Sequence, residues 1–239
     1  MKKWQERTAL LFKEEGLQNL QNAHVMVVGL GGVGSFAAEF LARAGVGTMT
    51  IIDGDSVDIT NINRQLPALH STVGMPKVQV VGDRLLDINP DLNLIRIEEF
   101  LTPDRAFEIV DKKFDYVLDC IDSITPKLNL IIACKRKRVK IISSMGAGGK
   151  TEAAKVKIAD INNTAQCHLA KTIRKRLKAH KIDKLKVVFS SEIQDESSLK
   201  MTDGTNYKRS FYGTNSYMPA LFGLYAAETV IRYLLKKPD

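Results

Sequence analysis

The segment VVGLGGVGSFAAEFLARAGVGTMTIIDGD, residues 27–55, restricts the folds open to this chain more than any other stretch. Apolar, β-branched residues at 24–29 read as a buried strand. Glycines follow at once, a helical pattern covers 33–44, and a second strand at 48–53 ends on Asp53. Gly29, Gly31 and Gly34 fit G-x-G-x-x-G, with Gly32 as an extra member. In a strand–turn–helix unit the first glycine makes the tight turn, the second lets a phosphate approach the backbone, and the third lets the helix pack on the sheet. The helix start then offers unbonded N–H groups to a phosphate. Asp53, nineteen residues past Gly34, offers a carboxylate to ribose hydroxyls. The unit predicts a nucleotide-binding fold.

The rest of the chain continues the rhythm. After a first helix at 6–21, strands at 24–29, 48–53, 93–98, 114–119 and 139–143 alternate with helices at 33–44, 76–88, 103–112 and 126–138. Such alternation predicts a Rossmann-like α/β fold, a mainly parallel sheet with helices on both faces. Past the GAGG at 146–149 the pattern changes. KVKIADI and KVVFS read as strands, and TAQCHLAKTIRKRLKAH as a helix with Leu169, Ile173 and Leu177 as its buried stripe. Residues 191–214 read as a long polar loop, and MPALFGLYAAETVIRYLLKK as a closing amphipathic helix. The expected organisation is a nucleotide-binding core with its N-terminal helix over 1–150. A smaller C-terminal α+β extension over 151–239 is integrated with it into one unit.

Composition narrows the function. The 239 residues are 44% hydrophobic and 26% charged, which suits a globular protein, and no apolar run reaches the roughly 18 residues of a membrane span. The charge-broken N-terminus lacks a signal core, so a soluble, cytoplasmic location is expected. Cys120, Cys134 and Cys167 are odd in number and form no CxxC, which argues against a disulfide framework or a zinc ribbon. Cys120 and Cys134 suit core positions. Cys167, beside His168 at the start of the basic helix, is the one thiol whose surroundings favour reactivity. Net charge is +8, yet between Lys171 and Lys186 eight Lys or Arg face a single Asp. Charge so concentrated points to a polyanion partner. Lys171, Arg174, Lys175, Arg176, Lys178 and Lys181 are the expected contacts to nucleic-acid phosphates, with CKRKRVK at 134–140 as a second candidate. Aromatic content is 7%, too low for a stacking platform. Recognition would rest on shape and backbone, with Tyr207, Phe211 and Tyr212 stacking on a splayed base.

The second polar concentration lies near the nucleotide unit. DGDSVDITNINRQL at 53–66 gathers Asp53, Asp55, Asn61, Asn63, Arg64 and Gln65 at a strand's carboxyl end, where ligands bind in such sheets. Lys77 follows in TVGMPK, and LDCIDS brings Asp119, Asp122 and Ser123 to the end of another strand. Asp119 suits a structural role and Asp122 a magnesium ligand. The bland alternative for Arg64 is a surface ion pair with Asp55 or Asp58. Cations and carboxylates around a nucleotide describe phosphate transfer, and hydride transfer needs no such set.

The G-x-G-G-x-G glycines, Asp53, NINRQ, VGMPK and the D-x-x-D of 119–122, in this order, resemble the ATP-binding fold of ubiquitin-activating and sulfur-carrier-adenylating, ThiF-like enzymes. Within that superfamily ERTALLFKEEGLQNLQNAHVMVVGLGGVGSFAAEFLARAGVG, TNINRQLPALHSTVGMPKV, INP, SSMGAGGK and KVKIADINNT…LAKTIRKRLK closely resemble the tRNA threonylcarbamoyladenosine dehydratases. The resemblance implies ATP-driven activation of the threonylcarbamoyl carboxylate on an adenosine beside the anticodon, followed by ring closure. It implies ATP and Mg2+, with a monovalent cation as a further candidate. The partner it implies is tRNA rather than DNA, with a sulfur-relay protein as a candidate partner. Residue by residue, Gly29, Gly31, Gly32 and Gly34 would form the phosphate and adenine loop and Asp53 would bind ribose. Asn61, Arg64, Gln65 and Lys77 would surround the phosphates, and Asp122 would serve magnesium. Arg7 would reach across a homodimer interface to the neighbouring nucleotide. Two departures stand out. Relatives tend to have Asp-Pro where this chain has Cys167-His168. YKRSFYG at 207–213 lacks the late-loop cysteine of some dehydratases, so a mechanism requiring that thiol does not apply. The competing readings are an adenylating enzyme for a small sulfur-carrier protein, a nicotinamide-dependent oxidoreductase and a non-catalytic RNA-binding relic.

Overall fold

The structure, a computed structural model, describes residues 2–202 and 210–236. Helix α1 (Glu6–Gln21), kinked at Lys13, leads into β1 (His24–Val28), α2 (Gly34–Ala44) and β2 (Thr48–Ile52). Then come α3 (Lys77–Ile88), β3 (Asn93–Ile97), α4 (Pro103–Ile109), β4 (Tyr116–Asp119), α5 (Ile124–Lys137) and β5 (Ile141–Ser144). After residue 150 the chain adds β6 (Val156–Asp160), α6 (His168–Ala179), β7 (Lys186–Ser190), the short strands β8 (Leu199–Met201) and β9 (Ser210–Tyr212), and α7 (Met218–Leu234). Seven strands form one sheet in the order β3-β2-β1-β4-β5-β7-β6, parallel except for the β6–β7 pair. The Rossmann-like α/β expectation holds.

Alternation along the strands distributes the core. Val25, Val27, Leu118 and Ile142 face a layer containing α2, α3 and α7, while Met26, Val28, Val117 and Ile141 face α4, α5 and α6. The helices end where the chemistry requires. Gly45, at φ +95°, closes α2, and Pro103 with a Thr102 side-chain cap opens α4. Strand order reverses between β1 and β4, so the chain segments leaving these two strands diverge and open a crevice at their carboxyl ends.

Two expectations need correction. The polar stretch 191–214 is not one irregular loop: β8 and β9 pair antiparallel within it, Leu199 opposite Tyr212. The helix expected from 164 starts only at His168, because Gln166 takes a left-handed φ of 52° and Cys167 is extended. Its buried face is Ala170, Ile173 and Leu177, with Leu169 half-buried. Among the described residues no helix is long and apolar enough to cross a membrane.

Helix α7 lies on α2, with Phe222 fully buried between them and the sheet. Gly223 permits this approach, since a Cβ there would stand 2.4 Å from the Val33 carbonyl oxygen. Truncating Phe222→Ala should cost about 3–5 kcal/mol in chemical denaturation. A loss under about 1 kcal/mol would show that α7 is not part of the cooperative core.

Candidate active site

The crevice between β1 and β4 is built by close backbone approaches. Gly29, at φ +88°, turns the chain out of β1, and a side chain there would collide with the Cys120 carbonyl at 2.9 Å. At Gly34 an added Cβ would stand 1.7 Å from the Gly29 oxygen, so α2 starts hard against the turn. Gly32 is filled from the other side by Pro219 at 2.9 Å and the Arg64 carbonyl at 3.1 Å. Gly31 differs. A Cβ there would meet only the Gln65 amide, at 3.7 Å or more. No side chain caps the start of α2. An accessible glycine beside an uncapped helix N-terminus is the geometry that accepts a phosphate.

Asp53 ties this loop to its neighbour. Its Oδ2 accepts from the Leu30 amide at 2.6 Å and its Oδ1 from the Asp55 amide at 2.8 Å. Burial holds its pKa above the usual carboxylate range, against the opposing charge of Lys77. Each carboxylate oxygen retains a second lone pair, so ribose hydroxyls still have acceptors here.

Beyond Asp53 the chain is pinned to the start of α3. Lys77 Nζ lies 2.9 Å from Asp55 Oδ2, and the Lys77 amide donates to the Asp55 carbonyl at 2.9 Å. Lys77 is 5% exposed, so its ammonium is the buried member of the pair. Asp58 caps a 3-10 turn at Ile59–Asn61 by accepting from Thr60, while Asn61 Oδ1 accepts from the Asp58 amide at 3.2 Å. This turn presents Arg64, whose Nη1 donates to the Thr60 carbonyl at 2.9 Å and to Asn63 Oδ1 at 2.8 Å. Its charge interacts with Asp122 across the crevice rather than pairing with Asp55 or Asp58. Burial lowers its pKa, but a guanidinium stays charged throughout the working range. Gln65 Oε1 is buried and has no hydrogen-bond partner among the described residues. An acceptor left unmet beside Gly31 suits a ligand bearing a hydroxyl or amine.

On the β4 side, Ser123 begins α5 and its Oγ lies 3.4 Å from Asp122 Oδ1. Behind them sits a cluster that sequence reasoning missed. Lys127, wholly buried, donates to Asp119 Oδ2 at 2.7 Å, Ser143 Oγ at 3.2 Å and the Ser144 carbonyl at 2.9 Å. Asp119 Oδ1 accepts the Ile121 amide at 3.1 Å, which fixes the turn carrying Asp122. The signal was available: a lysine inside the apolar run PKLNLII, eight residues past an aspartate. The structural reading of Asp119 agrees with this geometry.

The GAGG turn after β5 closes the far side. Lys150 donates to three backbone carbonyls, Gln166 at 3.0 Å, Ser190 at 2.8 Å and Glu192 at 2.8 Å. The Glu192 carboxylate accepts the Thr151 and Glu152 amides. Tyr212 packs on Gly148, and Asn63 Nδ2 donates to the Thr214 carbonyl at 2.9 Å, so the late segment spans from this turn to the Arg64 loop. Phe211 is exposed and Tyr212 half-buried, while Tyr207 lies outside the described residues. Burial pushes the Cys120 thiol up to about 12 and raises Cys134 as well, and Cys167 is buried. None of the three is an exposed nucleophile.

Two groups of expected residues lie elsewhere. Arg7 is exposed on the first turn of α1. Its neighbour Gln5 packs against Gly45, at the opposite end of the eleven-residue α2 from Gly34, about 16 Å away. On α6, Lys171, Lys175, Arg176 and Lys178 are exposed, as is Lys181 just past its end. Arg174 departs from the expected outward arc. Its Nη1 turns inward to the Ile161 carbonyl at 3.0 Å and to Thr164 Oγ1 at 2.7 Å. Three backbone and hydroxyl acceptors at the 161–164 turn hold it.

The ThiF family model matches residues 5–239. The chain is 40% identical over 238 residues to the tRNA threonylcarbamoyladenosine dehydratase of Bacillus subtilis, covering 96% of this chain and 94% of that protein. The crystal structure of the Escherichia coli tRNA N6-threonylcarbamoyladenosine dehydratase in complex with ATP superposes with a TM-score of 0.87 at 35% identity, over 98% of this chain and 96% of that one. Likeness to the Escherichia coli sulfur carrier protein ThiS adenylyltransferase, 36% identical, extends over only 57% of this chain and 55% of that protein.

Lys127→Ala leaves Asp119 buried without its cation and should cost about 3–5 kcal/mol in denaturant unfolding. Replacing the pair together, Lys127→Met with Asp119→Leu, should recover most of that loss. Equal destabilisation of both variants would mean that the hydrogen bonds Lys127 and Asp119 make to Ser143, Ser144 and Ile121, and not charge compensation, matter here.

Proposed function

The chain belongs to the ThiF family, and from that premise we propose that it is an ATP-dependent tRNA threonylcarbamoyladenosine dehydratase. The observation that carries the reading is convergence at one crevice. Gly31 and the open start of α2 lie on one side, Arg64 and Lys77 above them, and Asp122 opposite. Full-length similarity to named dehydratases, against partial similarity to a sulfur-carrier adenylyltransferase, supports this substrate class over that one.

The reaction follows from the charges. A carboxylate is a poor acyl donor because oxide would have to leave. Its oxygen attacks the α-phosphorus of ATP, pyrophosphate departs, and the acid becomes an acyl-adenylate. A nucleophile already present in the threonylcarbamoyl group then attacks the acyl carbon, AMP leaves with the former carboxylate oxygen, and the product has lost one water. Arg64 and Lys77 stabilise charge on the departing pyrophosphate. The Asp53 carboxylate and the α2 N-terminus orient ribose and phosphate, and Gln65 Oε1 offers the unmet acceptor. Asn61 and Asn63 hold the loop in shape through their backbone contacts. Magnesium fits the donor set through Asp122 with phosphate oxygens, since this ion needs only one or two carboxylates beside its phosphates, and it would neutralise the polyphosphate. Ring closure uses no enzyme nucleophile, in keeping with three buried or half-buried thiols.

A homodimer belongs to the same proposal. Arg7 lies too far from its own crevice, so it acts only if a second copy presents it. The exposed Leu10 and Leu11 beside it on α1 are apolar surface such a copy would cover.

Incubating the protein with ATP, magnesium and threonylcarbamoylated tRNA should yield a nucleoside lighter by one water on mass analysis. An unchanged nucleoside beside ATP turnover on a sulfur-carrier protein would overturn the reading. Arg64→Ala and Lys77→Ala should each lower pyrophosphate release by about 100-fold or more with little loss of stability. The Asp55 left by Lys77→Ala is 47% exposed and keeps its hydration. Arg7→Ala should be inactive alone, yet mixing it with Arg64→Ala should restore roughly a quarter of wild-type turnover through mixed dimers. No recovery on mixing would place Arg7 outside the reaction.

A further inference from the structure

Helix α5 follows β4 and precedes β5, so it starts at the crevice and ends at the opposite, amino-terminal edge of the sheet. Its fourteen residues place Lys137 about 21 Å from Ser123. Helix α6 precedes β7, which is parallel to β5, and so it ends at the same edge. Two adjoining grooves of about 460 and 530 Å³ lie there, and both are lined by Arg136. Together their walls carry seven Lys or Arg against three acids, Glu108, Asp111 and Asp183.

Basic residues in the last turn of a helix need no partner, because they complement the dipole. That accounts for Lys135 and Lys137, whose positions close α5, and Lys137 Nζ is spent on the Val110 carbonyl at 2.7 Å. It does not account for Lys112, Lys181 and Lys184, which lie outside helices and line the same grooves. Arg64 aside, whose guanidinium is held by the Thr60 carbonyl and Asn63, pairing differs between the two ends of the protein. Around the crevice and α2, Lys77, Arg84 and Lys127 are all neutralised by carboxylates within 3 Å. No Lys or Arg from 136 to 140, or from 171 to 186, forms an ion pair among the described residues. Arg136 is instead held on the groove wall over the Phe107 ring at 5.6 Å, without an ion pair among the described residues. Lys171, Lys175 and Lys178 occupy successive turns of one exposed face of α6 and join the crevice edge to the grooves.

We propose that this groove is a second anchoring surface, one that holds the phosphodiester backbone of the substrate RNA about 20 Å from the reacting nucleotide. The inference rests on the tRNA reading above and extends it. A nucleotide in the crevice belongs to a loop, so the RNA at the groove is the backbone of the adjoining stem, recognised by shape and charge. The lysine row on α6 carries the strand between the two. Loop binding and stem binding are then separate events on one protein, and the stem contributes affinity without touching the chemistry.

The test removes charge from the groove alone: Lys112→Ser, Arg136→Ser and Lys184→Ser in one full-length protein. Binding is followed with full-length tRNA and with an oligonucleotide of the anticodon loop lacking its stem, over a range of salt. For full-length tRNA the slope of log Kd against log salt should fall by roughly two, and Kd at about 0.1 M salt should weaken at least about tenfold. Binding of the loop oligonucleotide, binding of ATP and turnover at saturating tRNA should match wild type. Full-length tRNA bound by the variant with wild-type affinity and slope overturns the proposal, leaving the groove as a solvated face or the seat of an acidic protein. Should the variant fail to fold, the wild-type protein decides alone. Its slope must be steeper by the same amount for full-length tRNA than for the loop, and equal slopes overturn the proposal. Wild-type protein that binds tRNA in this way without removing water from its nucleoside refutes the dehydratase reading and leaves the groove standing.

Discussion

The whole crevice depends on an atom that is missing. Gly34 has no Cβ, and one would stand 1.7 Å from the Gly29 carbonyl oxygen. That contact brings the start of α2 against the turn leaving β1 and aims its unbonded amides into the space beside β4. The same economy repeats outward. Gly47 lies against the Gln21 carbonyl, where a Cβ would stand at 1.8 Å, and Gly223 lets α7 settle on Val33. A layer of helices pressed this closely on a sheet leaves no room for adjustment, so the position of the amides at the start of α2, proposed to bind phosphate, is set by backbone packing rather than by side chains. Preorganised donors of that kind stabilise developing charge without reorganising.

Within the frame, buried charge does two different jobs, and burial decides which. Lys127 and Asp119 are both wholly inaccessible, so each needs the other. Removing one leaves a penalty of several kcal/mol, while the pair itself adds little over well-packed apolar residues. Its value is geometric: Asp119 Oδ1 holds the Ile121 amide and with it the turn bearing Asp122. Lys77 and Asp55 are unequal. The lysine is buried and the aspartate half solvated, which makes the pair worth at most about 1 kcal/mol. A weak partner suits the phosphate-binding role proposed for Lys77, since the ammonium is kept in place while an incoming anion competes for it.

The sequence made most of this legible where local pattern and tertiary role coincide. The strand–glycine–helix–acid unit announced itself through residue types that only one backbone path accommodates. The Arg64 loop and Lys77 stood out because cations gathered where a bare dinucleotide site has none. What stayed hidden depended on contacts between distant segments. Lys127 looks like any helix lysine until Asp119 and Ser143 close around it, and Arg174 looks like its neighbours until the 161–164 turn offers it three acceptors. The β8–β9 pair was obscured because its strands are only three residues each and largely exposed, too short for the alternation that a buried face imposes. Helix ends moved by a few residues wherever a left-handed residue, such as Gln166, set the boundary.

Charge is thus partitioned along the length of the sheet. At the carboxyl end Lys77 and Lys127 each have a carboxylate against them and Lys150 a set of carbonyls around it, so these buried cations are held in fixed positions. At the amino end and along α6, cations accumulate without ion pairs among the described residues, and their summed potential acts over a distance near the Debye length of about 8 Å at physiological salt. These arrangements have different physical uses. Compensated charge holds reacting groups to fractions of an ångström and is insensitive to salt. Uncompensated charge attracts a polyanion from solution, tolerates imprecise placement and weakens as salt rises. A protein that must find a large anionic substrate and then act on one atom of it needs both, and separating them keeps the attraction from distorting the chemistry. The unevenness of the +8 net charge in the sequence is the one-dimensional trace of that separation.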